Sequence, residues 1–321
     1  AIKSDHKRSL FYIYFNWLPL KILYMIPYKE AYERKHIELE ITSIRHMEIV
    51  MEKYGKMLLF IMAAPLWSID CAATDEAVSA DELAKKLANP VASLISVPVQ
   101  YNYDELGGVN TGVSVSRVLI QPVIPFSLND DWNLITRTIF QGVEQHGFQQ
   151  EVLNTSGAGD TTASQYFSPK NPTEDGWIWG VGPVALLPTA TDSVLGNEKW
   201  GLGPTGVILK QTGPWTAGVL TSQIWSVTGD NEREDLNILS LQPFFSFTTA
   251  THTTVGIYTE SSYDWHTEEW MVPVIVQAGQ VFKVGSQVMQ FAVAGKYWAD
   301  STENGYEDWG IRAQLTFLFP R

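Results

Sequence analysis

Trp309-Gly310-Ile311-Arg312-Ala313-Gln314-Leu315-Thr316-Phe317-Leu318-Phe319, near the end of a 321-residue chain, decides how the rest is read. Its odd positions are apolar, with an aromatic ring at each end: Trp309, Ile311, Ala313, Leu315, Phe317 and Phe319. Its even positions, Gly310, Arg312, Gln314, Thr316 and Leu318, are mostly polar and carry a charge. A period of two means a strand between two different environments. Sandwich strands of soluble proteins alternate as well. Rings at both ends of the apolar face are what lipid-facing barrel strands show, because aromatic edges sit at the two membrane–water interfaces. The segment is about as long as a tilted strand needs to cross a bilayer.

Composition agrees with this start. The chain has 12 Trp, 13 Tyr, 14 Phe and 24 Gly, and only 18% of its residues are charged, against about 25% in soluble domains. Beyond residue 73 no run of about twenty apolar residues occurs, which argues against a helical membrane protein. A net charge of −13 argues against a nucleic-acid partner. Cys71 is the only cysteine, so no disulfide framework and no cysteine metal site is expected.

The first ninety residues read differently. Lys53-Tyr54-Gly55-Lys56 is basic, Met57 to Trp67 is an apolar core, and Cys71-Ala72-Ala73 offers small residues for cleavage. That order predicts a secretory signal peptide over 51–73, with translation starting at Met47 or Met51. Residues 1–50 then read as a non-native upstream extension. A membrane anchor around Leu10–Tyr28 is the alternative there, interrupted by Asn16 and Lys21. Residues 74–91 read as a short periplasmic segment with one helix over 77–89. Ser79 and Glu82 have capping-box spacing, and Asn89-Pro90 ends it.

From residue 92 to 321 the pattern predicts an all-β, antiparallel transmembrane β-barrel. Twelve strands are expected: 92–103, 112–127, 132–143, 160–168, 177–189, 203–211, 214–227, 237–249, 253–265, 270–284, 286–299 and 308–319. An even count suits a single-chain bacterial barrel. Strands 112–127 and 214–227 change face midway, which predicts a bulge in each. Connections alternate between short turns (128–131, 212–213, 250–252) and longer polar loops (144–159, 190–202, 228–236, 300–307), as periplasmic turns and external loops do. Segments 169–176 and 266–269 break that alternation. Pro98, Pro122, Pro125, Pro183, Pro243 and Pro273 fall inside strands, where each removes a ladder donor. Ile120-Gln121-Pro122 and Leu241-Gln242-Pro243 are similar pieces six strands apart.

Several motifs occur in a familiar order. They are Asn89-Pro90-Val91-Ala92-Ser93-Leu94-Ile95-Ser96-Val97-Pro98, Gln121-Pro122-Val123-Ile124-Pro125-Phe126-Ser127 with Trp132-Asn133, and Phe167-Ser168-Pro169-Lys170. Leu187-Pro188-Thr189-Ala190-Thr191, Trp200-Gly201-Leu202-Gly203-Pro204-Thr205, Gln242-Pro243-Phe244, Glu260-Ser261-Ser262-Tyr263-Asp264-Trp265 and Tyr297-Trp298-Ala299-Asp300 continue it. Together, over about residues 80–321, they resemble the Gram-negative outer-membrane family called "putative MetA-pathway of phenol degradation", whose members are often labelled transporters. The resemblance implies an outer-membrane barrel and export. It carries over no catalytic or ligand-binding residue.

For a channel, charges on the lumen face matter most. Alternation places Glu260, Lys296 and Arg312 there. Arg117 and Arg137 are placed inward because an arginine facing lipid at mid-bilayer costs about 2–4 kcal/mol. These five either favour anionic solutes or fill the barrel as an internal salt-bridge plug. Both readings stay open. Asp264, His266 and Glu268, with Glu269, are weak metal candidates beside a default of no metal and no cofactor. The acidic loops (Asp230 to Asp235, Glu303 to Asp308) read as solvated surface. Phe319 is the candidate assembly-signal aromatic. Expected partners are outer-membrane lipid and lipopolysaccharide, the barrel-assembly machinery and an unknown small solute. The leading function is a channel or transporter for small solutes, with aromatic or hydrophobic ones as the class the family name suggests. A closed barrel with a structural or surface-interaction role and a lipid-modifying enzyme are the alternatives. An enzyme is not expected, because His146, His252 and His266 all fall in connections and no Gly-x-Ser-x-Gly pattern occurs.

Overall fold

The computed structural model describes residues 80–147 and 154–320. The expected extension and signal segment lie outside the described residues. One helix, α1 (Ala80–Leu87), precedes fifteen strand segments. They are β1 (Ile95–Leu106), β2 (Val113–Ile120), β3 (Val123–Ser127), β4 (Trp132–Gly147), β5 (Thr155–Ala158), β6 (Thr161–Pro169), β7 (Trp177–Leu187) and β8 (Lys199–Thr212). There follow β9 (Trp215–Gly229), β10 (Asn237–Thr248), β11 (Thr253–Thr259), β12 (Ser261–Asp264), β13 (Glu269–Val284), β14 (Gln287–Asp300) and β15 (Tyr306–Phe319). The pairs β2/β3, β5/β6 and β11/β12 each form one interrupted wall, so the fold is a closed antiparallel barrel of twelve walls.

Closure is made where the chain's ends meet. β1 runs antiparallel to β15 from Ile95↔Phe319 to Leu106↔Tyr306, and β9 pairs with β10 from Asn237↔Trp225 to Phe247↔Trp215. Every wall therefore has two neighbours, and no edge is left with unpaired backbone groups. In hydrocarbon that is the condition for a sheet to exist at all.

The interruptions have two causes. Between β2 and β3, and between β11 and β12, the register is the same on both sides. What is missing is donors. In register, Pro98 stands across from Gln121 and Pro122 follows it; Pro273 and Gln242-Pro243 flank Glu260. Proline has no N–H, so the ladder lapses there without slipping. The wall over 112–127 therefore keeps one face inward throughout, correcting the expected bulge. The wall over 214–227 does carry a bulge, at its end rather than midway: Trp200 and Gly201 of the neighbouring strand pair with Thr228 and Ser226, which leaves Val227 as the extra residue. Of the three interruptions, only the one at Gly159-Asp160, between β5 and β6, shifts the register, by one residue against β4.

The outer surface is apolar. Val181, Leu202, Ile208, Val255, Ile257, Val276, Val293 and Ile311 are all exposed on it. Trp200, Trp225, Trp265 and Trp309 ring the end opposite the termini, and Phe126, Phe167, Trp177 and Trp215 the end that carries them. An apolar band between two aromatic girdles is a lipid-facing surface. The even positions of β15 point inward: Arg312 retains 4% of its accessibility and Thr316 none, whereas Trp309 keeps 69%.

The terminus-bearing end of the interior holds an apolar core. Leu83 of α1 packs with Leu94 and Leu318, and Val91 packs with Ile135, Tyr166, Val207, Leu209 and Leu220. Each such side chain contributes about 1.5–3 kcal/mol when fully buried. Within the described residues the helix ends at Leu87, two residues before the expected stop at Asn89. Rather than standing off the barrel it crosses this mouth, where the Lys85 carbonyl accepts from Gln211 Nε2 at 3.0 Å. Turns at this end are short except 170–176. Loops at the far end are longer except 265–268. Loop 144–159 is shorter than expected, because β4 continues to Gly147 and β5 begins at Thr155.

Candidate functional site

Inside the barrel, between the apolar plug and the far end, six strands (β1, β2, β4, β13, β14 and β15) and the gaps between β2 and β3 and between β11 and β12 present a belt of charged and amide side chains. β1 contributes Gln100, Asn102 and Asp104, at 4%, 3% and 1% exposure. Alternation alone sets these three on one face.

Arg312 is the centre of the belt. Its Nη1 and Nη2 donate to Glu260 Oε1 and Oε2 at 2.8 and 2.7 Å, a two-pronged ion pair. Nε donates to Asn102 Oδ1 at 2.7 Å, and Nη1 also reaches the Tyr258 hydroxyl at 2.9 Å. The Tyr258 hydroxyl donates to Gln277 Oε1 at 2.8 Å. With its amide oxygen facing the guanidinium, Gln100 accepts from Arg312 Nε at 3.1 Å and donates to Gln314 Oε1 at 3.0 Å. Glu260 occupies the proline-flanked gap between β11 and β12, and its side chain keeps 38% of its accessibility, so lumen water reaches it.

Toward the far end Lys296 Nζ donates to Asp104 Oδ2 at 2.8 Å, and both side chains are buried. Trp298 Nε1 donates to the other carboxylate oxygen at 3.0 Å. Gly310 makes the room: a Cβ there would meet Asp104 Oδ1 at 2.2 Å. Trp298 stacks on Tyr306 at 4.4 Å, and Arg117 lies over the Tyr306 ring and donates to its hydroxyl. Arg137 donates to Gln121 Oε1 at 2.7 Å.

The structure thus brings Arg312 to Glu260 and Lys296 to Asp104, and sets Arg117 and Arg137 on uncharged partners. Asp104, Asn102, Tyr258, Gln121 and Tyr306 are missing from the sequence-based set. Asp104 had a readable signal, since continuing the alternation of Gln100 and Asn102 by one step reaches it. The weak metal candidates do not form a centre. Asp264 Oδ1 accepts from the His266 backbone N–H at 2.8 Å, and among the described residues no three His, Cys, Asp or Glu converge on a metal position. Phe319 pairs with Ile95 at the closing seam.

At the far end, loop 188–198 is pinned. Asp160, at 3% exposure, accepts from the backbone N–H of Ala190 and Asn197 at 3.2 and 2.7 Å. Arg233 donates to the Ser193 carbonyl at 2.7 Å and pairs with Glu198 at 3.2 Å. Lys199 pairs with Asp235 at 3.0 Å. Hydrogen bonds from Lys199 and Ser226 hold the Asp235 carboxyl below its usual range.

No family model matches the sequence, and no curated protein registers as similar to it. Solved structures do. An outer membrane channel from Pseudomonas putida F1 aligns with TM-score 0.57 at 15% identity, over 71% of this chain and 96% of that one. An outer membrane phospholipase from Salmonella typhi, described as a dimer with bound calcium, aligns with TM-score 0.43 at 10% identity, over 75% and 98%. The Escherichia coli outer membrane phospholipase A gives 0.41 at 9%, over 76% and 99%. At these scores the phospholipases establish no activity for this chain. The expectation that the chain is no enzyme is withdrawn, because one of its grounds fails: His146 lies within β4, directly across the ladder from Ser114, rather than in a connection. At 15% identity the channel establishes the fold: this chain is a closed barrel of the kind built into bacterial outer membranes.

Proposed function

We propose that the chain is a channel for small solutes, with the charged belt as its selectivity region. The observation that carries this reading is the balance of charge in the belt. Four cations, Arg117, Arg137, Lys296 and Arg312, face two carboxylates, Asp104 and Glu260. A ring of fixed positive charge in a low-dielectric wall favours anions, as in anion-selective pores. The motif order of the sequence supports placing the chain near the outer-membrane family it resembles, with aromatic or other apolar solutes as the cargo. Export through a signal peptide, a lipid and lipopolysaccharide surround and assembly through the Phe319 strand complete the proposal.

A closed barrel with a structural role is the second reading. It is favoured by α1 across one mouth and by the Lys296–Asp104 and Arg312–Glu260 pairs across the belt. Single-channel recording of the purified chain in planar bilayers separates the two. Discrete current steps support the channel. No current above bare bilayer would leave the closed barrel standing.

A further inference from the structure

We propose that the far-end cavity around Arg117 is a binding site for a small organic carboxylate with an apolar body. The proposal rests on the reading that solutes enter the lumen, and it names the class that this end receives.

Arg117 is an inward-facing cation with capacity to spare. Its guanidinium carries five donors, and the contacts made by the described residues are the hydroxyl and ring of Tyr306. Asp104, the carboxylate of the neighbouring β1, is already held by Lys296 and Trp298. An arginine fork that hydrogen-bonds no carboxylate of the described residues matches the two oxygens of an incoming one, and matches them better than a point charge would.

The cavity beside it measures about 150 Å³. Its walls divide by chemistry. Gln141 and Gln145 add amides near Arg117, while Val143 and Leu195 supply apolar surface. Gln141 is fixed by donating to the Asp160 carbonyl at 3.0 Å. Leu195 comes from loop 188–198, whose pins at Asp160 and Arg233 make the apolar wall preformed. At about 30 Å³ per water the space equals roughly five waters, which admits a single ring or a short chain and excludes a lipid. Phosphate or sulfate would leave the apolar walls unused. A neutral ring would leave the guanidinium unanswered.

Benzoate is the probe, with acetate (charge without ring) and benzyl alcohol (ring without charge) as its controls. Calorimetric titration of the detergent-solubilised full chain should show benzoate binding at least about tenfold tighter than either control, because both halves of the site are then used. Arg117→Gln should weaken benzoate by about tenfold or more and leave benzyl alcohol unchanged; Arg117→Lys should keep part of the affinity. Should Arg117→Gln fail to fold, Leu195→Asp in the loop should remove benzoate binding by placing a like charge in the cavity. Equal binding of benzoate and benzyl alcohol, no binding of benzoate, or a variant that binds as the parent does would each overturn the site. Bilayer current from the same preparation keeps the readings apart. Current without benzoate binding sinks this site and spares the channel, whereas binding without current does the reverse.

Discussion

Asp104 shows how one residue organises the belt. Its two oxygens take Lys296 and Trp298, and Gly310 leaves the space they need. Asp104→Asn keeps the shape but leaves the buried ammonium of Lys296 uncompensated. Breaking a buried pair this way costs about 3–5 kcal/mol, so the variant should lose its folded, heat-resistant form at markedly lower denaturant. Replacing both partners, Asp104→Asn with Lys296→Met, should recover much of that loss. Glu260→Gln should cost less, about 1–3 kcal/mol, because its carboxylate is partly open to lumen water. The Lys199–Asp235 link predicts a pH dependence. Asp235 is held below its usual value, so its contribution is present above the ordinary carboxylate range and is lost as pH falls through the lowered value. The protection factor of the Leu236 amide (its exchange rate relative to the intrinsic rate at each pH), which donates to the Ser226 hydroxyl beside this pair, should fall in acid and stay level between neutral and mildly alkaline pH. At this scale Glu260, Lys296 and Arg312 are readable from alternation. Asp104 is one alternation step beyond Asn102, but the expected strand stops at Tyr103 while the ladder runs on to Leu106.

Among the elements, α1 matters most for passage. Its apolar residues Leu83 and Ala84 are buried at 2% and 1% in the terminus-bearing mouth. Leu83→Asp should drive the helix out of that mouth by placing a charge against Leu94 and Leu318. Single-channel conductance should then rise above that of the parent while the barrel stays folded. Unchanged conductance would mean the helix does not limit flow. The helix is legible in its Ser79/Glu82 spacing and apolar stripe, but its docking site is not, since an amphipathic stripe says that a partner exists and not which one. Proline had the opposite fate. Pro98, Pro122, Pro243 and Pro273 read as evidence against central strands. In the barrel they sit where the ladder lapses while the register holds. Gln121-Pro122 lies in the gap of its own wall, whereas Gln242-Pro243, six walls away, stays within β10 and borders the gap at Glu260 in the next wall.

For the whole molecule, twelve walls were legible because lipid outside and water inside impose the same alternation on every strand. Strand ends were less legible, since the ladder continues past the point where the side-chain pattern fades, as at Leu106 and Gly147. His146 was misplaced for that reason. Closure predicts heat-modifiable migration in detergent gels, because a ring with no free edge stays compact until boiled. The most direct measurement is the reversal potential of the purified chain in a planar bilayer under a roughly tenfold KCl gradient. A lumen belted by four cations and two carboxylates should pass chloride more readily than potassium, displacing the reversal potential toward chloride's equilibrium value. Displacement toward potassium's equilibrium value, or no current above bare bilayer, would contradict it.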